Sequence, residues 1–130
     1  MILLRALQFD DGADVVTIWY ENHQNLPVVR ARVDAIMMHL RCQNREGWTR
    51  QYYDTLRDGV GEVRFKVNRI NYRPLGFFGP NRNEFTFLYF STKTNRFDPV
   101  NAIDIAVERR QQVIAKPELS TVVKGRWNQQ

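Results

Sequence analysis

Arg64, Lys66, Arg73, Lys93 and Arg96 crowd the stretch from Gly61 to Phe97, where Glu62 and Glu84 are the only carboxylates. Arg69 and Arg82 join them at its turns. A guanidinium offers a planar fork of donors that matches phosphate oxygens and stays charged. Taken singly, each of these side chains reads as a solvated surface charge. Together they indicate a surface for an anion. The net charge of +5 is uneven: residues 1–63 carry seven Arg against nine Asp or Glu, and residues 64–130 carry twelve Lys or Arg against five. A basic half beside a slightly acidic one points to nucleic acid or another polyanion, with a generically basic protein as the alternative.

The elements that must position these cations are strands. Gly61–Asn68 alternates, with Val63, Phe65 and Val67 on one face and Glu62, Arg64 and Lys66 on the other. Asn68 and Arg69 leave room for a short turn. Ile70–Phe78 follows, closed by Gly79-Pro80-Asn81. Pro74 within this run suits an edge or a bulge. Glu84–Phe90 is apolar at nearly every position, the pattern of a central strand covered on both faces. Short connections make this an antiparallel meander. Ser91–Phe97 reads as a basic loop.

Upstream, Ile2–Phe9 reads as a first strand, and Asp10-Asp11-Gly12 breaks it and offers a helix cap. Ala13–Asn22 is a short amphipathic helix. Pro27 suits the first turn of a second one, in which Val29, Val33, Ile36, Met37 and Leu40 form a core-facing stripe. A link this short predicts an antiparallel helical hairpin. Asn44–Gly59 is polar and irregular, and its Trp48, Tyr52 and Tyr53 cover a core edge or stack on bases. Asp98-Pro99 opens a third helix with the stripe Val100, Ile103, Val107 and Ile114. Residues 117–130 form a short strand or a mobile tail.

At 130 residues the chain is one domain, 1–130, of α+β class, since its strands and helices segregate. The single Cys42 excludes an internal disulfide, reads as a buried small hydrophobe, and fits a reducing cytoplasm. No apolar run approaches the ~20 residues of a membrane span. His23 and His39 lack ligand-spaced partners, so neither a metal site nor a cofactor is expected.

Leu56-Arg57-Asp58-Gly59, then Glu62-Val63-Arg64, Tyr72-Arg73 before Leu75-Gly76-Phe77-Phe78, the apolar strand Phe85–Phe90, Lys93-Thr94, and Pro99 before a helix rich in Ala, Glu and Arg occur here in that order. In this the chain resembles the RelE/ParE toxin superfamily, most closely its phage-derived, HigB-like branch. The resemblance implies a RelE-like fold: an N-terminal strand and helical hairpin packed on an antiparallel sheet, with a C-terminal helix. It implies the toxin of a type II toxin–antitoxin pair, a ribosome-dependent mRNA endoribonuclease without metal, neutralised by a cognate antitoxin. That antitoxin is expected to be a small helix-turn-helix protein. The family's catalytic cations match Arg64, Arg73 and the loop bearing Lys93 and Arg96. Some members use a late aromatic residue or histidine as acid or base. Here no histidine follows His39, and Tyr72 and Tyr89 are the late tyrosines.

RNA cleavage without metal needs a base for the 2′-OH, a cationic site for the phosphorane, and an acid for the 5′-oxygen. Arg64 and Arg73 suit the cationic site, where one well-placed donor contributes roughly 3–4 kcal/mol. Lys93 serves as acid, or as base if neighbouring cations depress its pKa. Glu62 is a further base, or the ion-pair partner of Arg64. Lys66, Arg69, Arg82 and Arg96 share the remaining RNA phosphate contacts. Two other readings stay open: a gyrase-inhibiting toxin of the ParE kind, and a degenerate phage-derived member that only binds a partner.

Overall fold

A computed structural model describes residues 1–128. The order is β1 (Leu3–Leu7), α1 (Val15–Asn22), α2 (Pro27–Arg41), β2 (Tyr53–Arg57), β3 (Val60–Val63), β4 (Phe65–Val67), β5 (Ile70–Phe78), β6 (Glu84–Lys93), β7 (Phe97–Asp98), α3 (Ala102–Ala115) and β8 (Ser120–Val122). Among the described residues this is an α+β fold, with three α-helices and one open sheet of eight strands. The sheet runs β2-β3-β5-β6-β1-β8, with β4 also on β5 and β7 on β6.

The sheet is mixed where an antiparallel one is expected. β1 pairs in parallel with β6, from Leu3 beside Glu84 to Ala6 beside Phe87. β6 carries the fully buried Phe85, Phe87 and Leu88, so both its faces are covered, and β5 and β1 pair along its two edges. The helices between β1 and the meander make this crossover possible.

Residues paired across an antiparallel ladder share a face. Phe65, Tyr72, Phe78, Phe85, Phe87 and Phe90 lie on one, where they meet Trp19 of α1, Trp48 and the late Trp127. Val29, Val33, Ile36, Met37 and Leu40 of α2 are all buried on this side. The opposite face carries Leu75, Phe77 and Tyr89, and α3 covers it: the guanidiniums of Arg110 and Arg109 lie over the Phe77 and Tyr89 rings at 5.4 and 5.2 Å. α1 and α2 meet through side chains, with Tyr20 donating to Asp34 at 2.9 Å and Arg30 stacked on the Tyr20 ring.

Several local expectations are corrected. Asp14, not Asp10 or Asp11, caps α1, its carboxylate accepting from the Thr17 amide at 2.8 Å. Within the segment expected to be irregular, Tyr53–Arg57 is a strand. It forms a hairpin with β3 through Asp58-Gly59, both with the positive φ of a tight hairpin turn. For Trp48 and Tyr53 the core reading holds: both are buried, and Trp48 donates to the Leu40 carbonyl at 2.8 Å. Cys42 is exposed at the end of α2. β6 runs on through Lys93, and β7 folds back on it, so Lys93 lies on a strand rather than in a loop. Asp98 belongs to β7, which delays α3 to Ala102 and leaves Val100 exposed; Ile114 is exposed as well. Of the two readings of the C-terminal segment the short strand holds: β8 pairs with β1, and Trp127 is buried. The last two residues of that expected tail lie outside the described ones.

The strand expected over Gly61–Asn68 is broken at Arg64. β3 and β4 keep one register on β5, yet the ladder is interrupted opposite Pro74, which has no N–H to offer. The Arg64 amide donates to the Tyr52 carbonyl instead, at 2.7 Å.

Candidate functional site

The interruption at Arg64 creates the site. Gly61 faces Gly76, Glu62 faces Leu75, and Phe65 faces Tyr72, so the same register sets Arg64 opposite Arg73. Two like charges side by side on a sheet repel, and they need an anion. Glu62 supplies it. Its Oε2 accepts from Nε of Arg64 at 2.9 Å and lies 3.1 Å from Nε of Arg73, an ion contact outside hydrogen-bond geometry. Glu62 is 1% exposed, and its Oε1 has no hydrogen-bond partner among the described residues. It therefore does not stand on a solvated face, as strict alternation implied. It sits beneath the two arginines, on the face that α3 partly covers.

Beside this triad lies an open cavity of about 400 Å³ lined by residues of β4, β5, the segment before β2, and α2, with Arg64 and Arg73 in its wall. Its cations are Arg32, Arg50, Arg64, Lys66 and Arg73, with Tyr52 and Asn71 beside them. Asp54 accepts from Arg64 at 3.1 Å and from Arg50 at 3.5 Å. Arg64 also donates to the Arg50 carbonyl, and Arg73 to the Tyr72 carbonyl. Five cations thus stand against two carboxylates, and the surplus favours an anion. Burial pulls the Arg73 guanidinium below its ordinary pKa; Glu62 opposes that shift and Arg64 adds to it. Arg73 is the less exposed of the two, with 16% of its side chain exposed against 30% for Arg64.

Of the residues singled out by sequence, Arg64, Arg73 and Lys66 come together here. Lys93 does not line the cavity. It faces Asn71 in register, but its ammonium rests over the Phe97 ring at 4.9 Å, towards β7. Arg69 is exposed in the β4–β5 turn and Arg96 in the β6–β7 turn, both outside the cavity. Arg82 lies at the other end of β5, beside Arg45 and Glu84 in a separate recess. Tyr72 lies on the helix-covered face, stacked on Phe65 at 5.1 Å, and burial raises its pKa. Tyr89 faces Arg109 of α3. Among the described residues no three His, Cys, Asp or Glu side chains gather as metal ligands.

Sequence reasoning missed Arg32 and Arg50 as part of the site, and offered Tyr52 only as core cover or a base-stacking group. Arg32 lies one turn before Ile36, on the rim of the α2 stripe, so helical periodicity holds a weak signal for it. Arg50 and Tyr52 precede a strand that periodicity did not reveal. No protein-family model, curated protein or solved structure matches the chain.

Proposed function

We propose that this protein is the toxin of a type II toxin–antitoxin pair, acting as a ribosome-dependent mRNA endoribonuclease of RelE-like fold. The observation that carries the proposal is the pairing, on one buried carboxylate, of Arg64 and Arg73, which line a cation-rich cavity. Guanidiniums held in advance do not reorganise when charge develops on a phosphorane, and this makes such donors effective. Arg32, Arg50 and Lys66 would hold flanking phosphates. The motif order from Leu56 to Arg110 supports the same reading. The cognate antitoxin would be a small helix-turn-helix protein carrying acidic residues to meet the basic half. The site of action would be the cytoplasm; no helix of the described residues is long and apolar enough to cross a membrane. The binding-only reading is favoured by one observation, the seating of Lys93 on Phe97 outside the cavity.

Arg73→Lys separates the two. It keeps the charge over Glu62 and removes the fork. Primer extension on translated mRNA should show cleavage by the wild type and its loss in Arg73→Lys. Ribosome co-sedimentation and its salt dependence should change little. Cleavage by Arg73→Lys at the wild-type rate would remove Arg73 from catalysis. Normal growth and intact mRNA at confirmed soluble expression of the wild type would leave the binding-only reading.

A further inference from the structure

We propose that Tyr52 is the proton donor to the leaving oxygen in the cation-lined cavity, an inference that rests on the nuclease reading above. Strand cleavage by the neighbouring 2′-oxygen forms an O2′–P bond and breaks the P–O5′ bond. The 2′-OH proton passes to solvent. The departing 5′-oxygen needs a proton of its own, and the products are a 2′,3′-cyclic phosphate and a 5′-hydroxyl. Tyr52 would give its phenolic proton to that oxygen and regain one from water.

The assignment follows by elimination among the groups lining the cavity. Arginines do not exchange protons at physiological pH, and Asn71 and Gln51 are not acids. Glu62 is sealed beneath Arg64 and Arg73 at 1% exposure. Asp54 lies outside the lining and accepts from Arg64 and Arg50. Tyr52 and Lys66 are left. Lys66 is exposed on the short β4, and among the described residues no hydrogen bond or ion pair fixes its ammonium. Tyr52 is half-buried, and its ring packs against that of His39, with centroids 5.0 Å apart. Its amide donates to the Thr49 carbonyl at 2.8 Å and its carbonyl accepts from the Arg64 amide at 2.7 Å. Tyr52 is thereby tied to the same backbone break that positions the arginines.

The other phenols are committed elsewhere. Tyr20 donates to Asp34; Tyr53 and Tyr72 are buried on the helix-covered face; Tyr89 faces α3. The Tyr52 hydroxyl makes no hydrogen bond among the described residues, which leaves its proton free for a ligand.

The test uses the full chain, programmed ribosomes, and two synthetic mRNAs that differ at the scissile link. One has the natural 5′-oxygen and the other a 5′-sulfur, whose thiolate leaves without a proton. Tyr52→Phe keeps the ring and removes the acid. It should cut the oxygen link at least about 10²-fold more slowly than the wild type. It should cut the sulfur link within a few-fold of the wild type and co-sediment with ribosomes normally. A Tyr52→Phe protein that cuts the oxygen link at the wild-type rate overturns the assignment. So does one that is slowed equally on both links, because the ring would then act only through packing or binding. Failure of the wild type to cut either mRNA overturns the nuclease reading itself, and this proposal with it.

Discussion

Replacing Glu62 by Gln is the most direct probe of the triad. The change keeps the shape of the side chain and removes the charge that Arg64 and Arg73 share. Removing one partner of a buried ion pair costs about 3–5 kcal/mol. Three features of the site lower that figure. The amide oxygen still accepts from one Nε; Asp54 still holds Arg64 at 3.1 Å; and 30% of the Arg64 side chain is in water. Against them, two guanidiniums fixed opposite each other lose their common counter-ion. A loss of about 2 kcal/mol is expected, or a fall in thermal midpoint of roughly 6–10 °C for a domain of this size. Urea unfolding followed by tryptophan fluorescence measures it, with Trp48 and Trp127 in the core as reporters. Added polyphosphate should recover part of the loss, since an anion bound in the cavity replaces the missing charge and stabilises only the folded state. A stability within about 0.5 kcal/mol of the wild type, the range of an ordinary surface substitution, would show that Glu62 does not hold the two arginines. The account of the site would then fail at its base.

Alkaline pH should unfold the protein through its buried phenols. Burial pushes Tyr53 up to about 12 and raises Tyr72 as well, so the unfolded chain loses these protons first. Stability should be intact below about pH 10 and fall between about 10 and 12, by roughly 2–3 kcal/mol for Tyr53. Tyr53→Phe should flatten that fall in a thermal-midpoint titration; an unchanged curve would refute the cause. Trp127→Ala should cost about 3 kcal/mol or more, because it empties a buried site and removes the indole donor to Asp34 at 2.8 Å. A neutral result in the same urea assay would return the C-terminal segment to the status of a loose tail.

The meander and the α2 stripe were legible in the sequence, because alternation and 3.6-residue periodicity report which face of a single element avoids water. Arg64 and Arg73 were named together for a cationic site, but the register that sets them opposite each other came from the sheet pairing. Periodicity names two faces but does not say what covers each. Only the tertiary fold decided that Glu62 is buried and that Arg73 is largely covered. Strict alternation had put Glu62 on the same outward face as Arg64 and Lys66. The parallel entry of β1, the seating of Lys93 on Phe97 and the approach of Arg32, Arg50 and Tyr52 to the arginine pair all join residues distant in the chain. Such contacts arise when elements dock to cover apolar surface. The cations belong to the sequence; the cavity they line belongs to the tertiary fold.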